Sequence, residues 1–167
     1  MFGVRSVVGG HAVDHAVGQC AAQLVHGRTL EDALRQGLRH FHGLLDDFVP
    51  RLLLQGDLAR VQMVRRGPPD AGVDYAQKAF LLFSFGLASW LVARRVPVLA
   101  VAYPDPPGLP ERGAGSDSSR VYQAPIQHGA AHIGFSFEAR WLALPVVQNP
   151  QSLREFLAQA PANLLIR

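Results

Sequence analysis

Residues 49–64 read VPRLLLQGDLARVQMV, two β-prone runs on either side of Gly56-Asp57. A glycine at the first position of a two-residue loop suits a type II′ turn, whose twist matches that of the strands it joins. Such a turn sets a register. Gln55 stands opposite Leu58, Leu54 opposite Ala59 and Leu52 opposite Val61 on an apolar side, while Arg51 faces Gln62 and Leu53 faces Arg60 on the other. One face of this hairpin therefore needs a cover.

The flanking sequence supplies helices. Upstream, RTLEDALRQGLRHFHGLL (residues 28–45) places Thr29 and Asp32 at capping-box spacing, and Leu30, Leu34, Leu38, Phe41 and Leu45 form an apolar stripe. Glu31 and Asp32 in the first turn complement the helix dipole. Further upstream, Val13, Val17, Cys20 and Leu24 recur at helical spacing and predict a helix from His11 to Val25. Downstream, Asp74 is expected to cap a long helix running to Ala93, whose apolar residues surround its axis; such a helix is buried on several sides or forms an interface.

VPVLAVAY (residues 96–103) is nearly continuous in apolar character, as in an inner strand. PDPPGLPERGAGSDSS (residues 104–119) reads as a loop and is expected to be the most mobile part of the chain. RVYQAP (residues 120–125) suits a short helical turn. Ile133, Phe135 and Phe137 then alternate with Gly134, Ser136 and Glu138 as in a half-buried strand, and a last helix begins near Pro150. The pattern predicts a single α+β domain, a small, largely antiparallel sheet covered by helices.

With 167 residues of which 49% are hydrophobic, the chain can fill one core without staples. Its single cysteine, Cys20, excludes an internal disulfide framework and fits a reducing cytoplasm. The longest greasy segment, AFLLFSFGLASWLVA (residues 79–93), is shorter than the roughly 20 residues needed to span a bilayer, so no membrane association is expected. The net charge of +3 comes from dispersed arginines; apart from Arg65-Arg66 and Arg94-Arg95, at the ends of apolar segments, nothing forms the basic stripe of a phosphate-tracking surface.

Motifs that carry chemistry are sparse. HAVDH (residues 11–15) and HGAAH (residues 128–132) each space two histidines by four, but His11 and His15 fall opposite the apolar face of their helix, and His128 and His132 flank a turn at Gly129. His40 and His42 project about 160° apart on a regular helix and cannot share an ion. No metal site and no cofactor are expected. The nucleophile elbow, the two-histidine zinc motif and the phosphate-binding loop are all missing, and the adjacent carboxylates Asp46 and Asp47 diverge at a helix end. No catalytic residues are assigned, and the chain does not read as an enzyme.

The order helix, hairpin, long apolar helix, apolar strand, proline-rich loop and short turn, followed by FSFEARWLALPV (residues 135–146) and NPQSLREFL (residues 149–157), resembles the N-terminal regulatory domain of AraC/XylS-type bacterial transcription regulators. Within that family it is similar to the arabinose-binding-domain-like branch, over roughly Thr29 to the end. The resemblance implies that residues 1–167 are an effector-sensing and dimerisation domain of a cytoplasmic regulator. It also implies that a C-terminal helix-turn-helix domain, absent from this chain, reads DNA, so that the chain itself makes no direct nucleic-acid contact.

Two functions follow as expectations. One is a sensor for a small-molecule effector of unknown identity, bound between the helical layer and the aromatic strand, whose occupancy shifts how the Pro150 to Ala160 helix presents the attached reader. The alternative is a ligand-free homodimerisation module using the apolar surface of the long helix. The polar groups best placed to contact an effector are His42 at the edge of a buried helix face, Tyr103 at the end of the inner strand and Trp141 beyond the phenylalanine-rich strand.

Overall fold

The computed structural model describes residues 25–106 and 118–166, except for the side chains of Leu157 and of residues 160–166. The helix expected from His11 falls outside these residues apart from Val25, as does most of the loop expected to be mobile. The described chain runs α1 (Leu30–Phe41), β1 (Phe48–Gln55), β2 (Leu58–Arg65), α2 (Ala71–Leu91), β3 (Val98–Ala102), α3 (Ser118–Tyr122), β4 (Ile126–Gln127), β5 (Ile133–Glu138), a 3-10 turn (Ala139–Ala143) and α4 (Pro150–Ile166).

The hairpin adopts the expected register throughout, from Gln55 opposite Leu58 to Leu52 opposite Val61. Gly56 has φ 60° while Asp57 does not enter the left-handed region, as a type II′ turn requires. The five strands lie in the order β1-β2-β5-β3-β4, antiparallel except for the short β3–β4 pairing. The apolar strand β3 is thus an inner strand, and β5 is central. Gly134 sits where β5 crosses β2: a Cβ there would lie 2.7 Å from the Val61 carbonyl oxygen. Only glycine lets the two backbones approach so closely.

One face of the sheet, carrying Ala59, Val61, Met63, Val101, Ile133, Phe135 and Phe137, is sealed from solvent. Helix α1 covers it at the β1 side through Leu30, Ala33, Leu34, Leu38 and Phe41, and α2 through Leu81, Phe85, Ala88 and Leu91. The stripe on α1 stops one turn earlier than its spacing suggested, because the helix ends at Phe41 and leaves Leu45, Asp46 and Asp47 in the following loop. Leu54 also departs from expectation. It is 46% exposed although its partner Ala59 is fully buried, because β1 is an edge strand and its tip runs beyond the helices.

Both long helices start on side-chain caps. Thr29 and Asp32 form the capping box read from their spacing, with Thr29 Oγ1 accepting from Asp32 N at 3.3 Å and Asp32 Oδ2 accepting from Thr29 N at 3.4 Å. On α2 the cap is Asp70, not Asp74: Asp70 follows Pro68-Pro69, its Oδ1 accepts from Val73 N at 3.0 Å, and the helix begins at Ala71. Asp74 instead lies in the first turn, 3.5 Å from the Arg65 guanidinium. The far end of α2 is also earlier than expected, at Leu91, since Ala93 turns into the left-handed region at φ 53°.

Candidate functional site

The left-handed Ala93 is the key to the site's geometry. Ala93 N donates to Trp90 O at 3.0 Å and Arg94 N to Ser89 O at 3.1 Å, the paired bonds of a Schellman ending. Glycine usually holds this position, and alanine there costs roughly 1 kcal/mol. The turn sends Arg94 and Arg95 back over the end of α2. Two bonds reach these last α2 carbonyls from outside: Val147 N donates to Leu91 O at 2.9 Å, and Gln148 Nε2 donates to Trp90 O, which also accepts from Ala93 N, at 2.7 Å. Helix α4 starts from this anchored segment, with Ser152 N donating to Asn149 Oδ1 at 2.9 Å. Its Phe156 stacks on Trp90 with centroids 4.7 Å apart.

Between α2, α3 and α4 these contacts leave a cleft of about 620 Å³, inside the range of roughly 300–1,000 Å³ usual for small-molecule sites. Leu82, Phe85, Trp90, Val121 and Phe156 supply its apolar wall. Arg94, Arg95, Gln148, Glu155 and Gln159 supply its polar groups. Arg95 is held in place: its guanidinium lies over the Phe85 ring at 5.3 Å and donates to the Val121 carbonyl. Phe85 therefore shows one side to the cleft and the other to the core, where it meets Phe135 at 5.9 Å and Tyr122 at 5.2 Å.

A second polar group of residues lies at the other end of α2. Tyr103 donates its hydroxyl to Ser118 Oγ at 2.8 Å, Lys78 Nζ sits 4.5 Å above the Tyr103 ring, and the same ammonium pairs with Asp105 at 2.7 Å. The neighbouring Tyr122 hydroxyl and the Gln77 amide nitrogen are buried without a hydrogen-bond partner. Burial, and secondarily the nearby Tyr103, raise the Tyr122 phenol well above its ordinary value of 10.0. Between the helical layer and the aromatic strand the described aromatic side chains lie close together. Phe85, Tyr122, Phe135 and Phe137 pack ring against ring, and the gap found between α1 and α2 is only about 20 Å³, room for about one water.

The three side chains singled out from sequence are not brought together. His42 caps α1 and its Nε2 lies 2.7 Å from Pro50 O, so the ring nitrogen donates and the carbonyl accepts. In a two-residue hairpin closed at Gln55 and Leu58, Pro50 falls at a pair whose backbone groups point away from β2. Proline there leaves no unpaired N–H on the sheet edge, and His42 takes its outward carbonyl. Tyr103 follows Ala102, which pairs with Gly134 near the start of β5, whereas Trp141 lies past its other end, a separation on the order of 15 Å. Trp141 packs half-buried against the core from the 3-10 turn.

None of the three lines the cleft. The cleft residues had partial signals: Arg94-Arg95 stood out as a basic pair at the end of an apolar segment, and Trp90 as one of two tryptophans. No spacing pointed to Phe156 as the partner of Trp90, since 66 positions separate them in sequence and only the fold makes them neighbours. Among the described residues no group of three His, Cys, Asp or Glu side chains is placed to hold a metal ion, and no helix is long and apolar enough to cross a membrane.

Comparison with known proteins finds one family match and a distant structural likeness. The model of the N-terminal arabinose-binding domain of AraC transcription regulators matches residues 12–146, which include α1, the hairpin, α2 and all five strands. A crystal structure of the transcriptional regulator CdpR from Pseudomonas aeruginosa is similar at 16% sequence identity and a TM-score of 0.44, over 89% of this chain and 48% of that one. The chain thus spans about half the length of that regulator. No curated protein matches the sequence.

Proposed function

This chain belongs to the family of N-terminal arabinose-binding domains of AraC transcription regulators, and from that premise we propose that it is the effector-sensing half of such a regulator, with the cleft between α2 and α4 as its binding site. The observation that carries the reading is the division of the cleft wall. Trp90, Arg94 and Arg95 belong to the end of α2, while Ser152, Glu155, Phe156 and Gln159 belong to α4. A ligand touching both walls favours one placement of α4 over others, and only such differential affinity lets a ligand shift an equilibrium. Regulation, not turnover, is the role: DNA is reached through a reading domain that these 167 residues do not include, in the cytoplasm.

In this reading Tyr103 is a positioning residue, holding α3 through Ser118 so that Val121 meets Arg95. His42 guards the sheet edge and Trp141 seals the core below β5. The test is a thermal-shift screen of small metabolites against the 167-residue chain, repeated with Trp90→Ala and Phe156→Ala. A compound that raises the midpoint of the parent chain and loses its effect in both variants supports the site, because ligands of the native state raise apparent stability. A compound whose effect survives both variants but is lost with Tyr103→Phe moves the site to the opposite end of α2.

A second reading, self-association through the hairpin, has one observation in its favour. Leu53, Leu54 and Leu58 are 42%, 46% and 44% exposed at the tip of the edge hairpin. Sedimentation of the chain with Leu53→Lys and Leu58→Glu checks it: a dimer dissociated by these changes supports a homodimer, and an unchanged dimer places the contact elsewhere.

A further inference from the structure

Deepening the hairpin reading above, on which it rests, we propose that the free edge of β1 pairs with the same strand of a second copy of this chain, antiparallel and two-fold about Leu53. The two halves of this edge strand differ. Its first half is protected: Pro50 has no N–H to offer, and its carbonyl accepts from His42 Nε2. In the second half, the hairpin register turns the N–H and C=O groups of Leu52 and Leu54 away from β2, as it does those of Pro50. Among the described residues no backbone group meets them. No proline, charge or bulge guards residues 52–54, which are three successive leucines in an uninterrupted ladder. Leu54 lies on the core side and Leu53 on the other, 46% and 42% exposed, so a single covering layer cannot bury both. A neighbouring strand can, because it sets a side chain beside each.

That the neighbour is a second copy follows from the stretch Arg51–Gln55, which is complementary to itself. With Leu53 opposite Leu53 of the second copy, Leu52 meets Leu54, and both such pairs exchange main-chain hydrogen bonds in both directions. Arg51 then faces Gln55, so the one charge in the stretch opposes a neutral amide and not its own kind. Pro50 falls opposite Gly56, already in the turn, where the ladder has ended and no donor is missed. Other registers are poorer. Moving one strand by two residues sets Pro50 against Leu54 and forfeits a donor, and moving it by four sets Arg51 against Arg51. The pairing engages far fewer than the roughly 20–30 residues a side of a stable complex. The dimer is therefore weak and forms as concentration rises.

The experiment is sedimentation of the 167-residue chain over a concentration series, as the parent and with Leu53→Lys, Leu53→Glu, Leu54→Pro and Leu99→Lys. The parent is expected to pass from monomer to dimer as concentration rises. Leu53→Lys and Leu53→Glu should each stay monomeric, because the two-fold axis sets like charges against each other. Their equimolar mixture should regain association roughly tenfold or more over either alone, since opposite charges then meet, and the recovery shows that both variants fold. Leu54→Pro removes an outward N–H and no bond to β2, and association should fall by a similar factor. Leu99, 43% exposed on β3 and separated from β1 by two strands, is the control, and its variant should dimerise like the parent. Equal loss with Leu99→Lys would reduce the association to unspecific apolar contact and overturn the pairing. Loss in each Leu53 variant without recovery on mixing would overturn the two-fold register and leave self-association through the hairpin standing. A dimer that survives all three edge variants would overturn both. So would a parent chain that stays monomeric at every concentration, which would leave the edge to a strand of another protein.

Discussion

The two sides of helix α2 use the same kinds of side chain to opposite ends. Towards the sheet, Phe85 meets Phe135 and Tyr122, and Phe135 meets Phe137, all in a layer from which solvent is excluded. Towards α4, Trp90 meets Phe156 in a single stack beside an open cleft. The difference is the second wall. A sheet is held by a ladder of backbone hydrogen bonds and cannot retreat from the rings packed on it. Helix α4 is held instead by the buried Leu153 and Phe156, the latter stacked on Trp90, by its cap and by the two bonds from Val147 and Gln148. One side of α2 is a filled layer and the other borders a cleft.

The contrast can be broken most directly at Phe135. Phe135→Ala should cost about 3–5 kcal/mol of unfolding free energy in urea titration, because a buried ring leaves a cavity that the sheet cannot close. A loss below that of a surface substitution would mean the layer is loosely packed. Gly134→Ala should come next, at about 1–3 kcal/mol, from forcing β2 and β5 apart where the added Cβ meets the Val61 carbonyl. On the cleft side Trp90→Ala should cost only about 1–2 kcal/mol, since the indole is half-buried and its main partner is one ring. Proteolysis of α4 should accelerate far more than global unfolding does; parallel acceleration of both would dissolve the distinction between the two sides.

The remaining tests sharpen the contrast. Tyr122 is the imperfection of the filled side, a buried hydroxyl without a partner. Tyr122→Phe should leave stability at neutral pH within about 1 kcal/mol and on the stabilising side. Because the folded state keeps the phenol proton where the unfolded chain releases it, the parent protein should lose stability as pH rises beyond 10.0, and the variant should lose that part of the slope. Smallest of all, Ala93→Gly should raise the thermal midpoint through a gain of about 0.5–1 kcal/mol, the relief of the left-handed alanine less the added chain entropy of glycine. No gain would mean that the cleft's lip does not hold the turn seen at Arg94.

Much of the fold could be read from local chemistry. The Gly56-Asp57 turn determined every pairing in the hairpin, because a two-residue loop allows one register and a period of two assigns each side chain a face. The Thr29 capping box was equally local, three residues apart and complete in itself. The cap of α2 was misplaced by four residues because Asp70 and Asp74 both suit the role, and the preceding Pro68-Pro69 decided for the earlier one. His42 illustrates a harder case. Its position at the margin of a buried face was legible, but its partner Pro50 belongs to the strand edge, so only the assembled sheet turned a candidate ligand contact into an edge cap.

Sequence by itself determined the elements, the sheet's apolar face and the family, since these follow from periods of 2 and 3.6, from turn residues and from the order of segments. Tertiary structure alone decided the cleft. Trp90 and Phe156, or Arg95 and Val121, carry no periodic relation along the chain; they meet because the ending of α2 at Ala93 and the anchoring of Gln148 fix where α4 departs. Local patterning reports which face of an element is buried, whereas the space between two helices depends on the angle at which a short, irregular segment joins them.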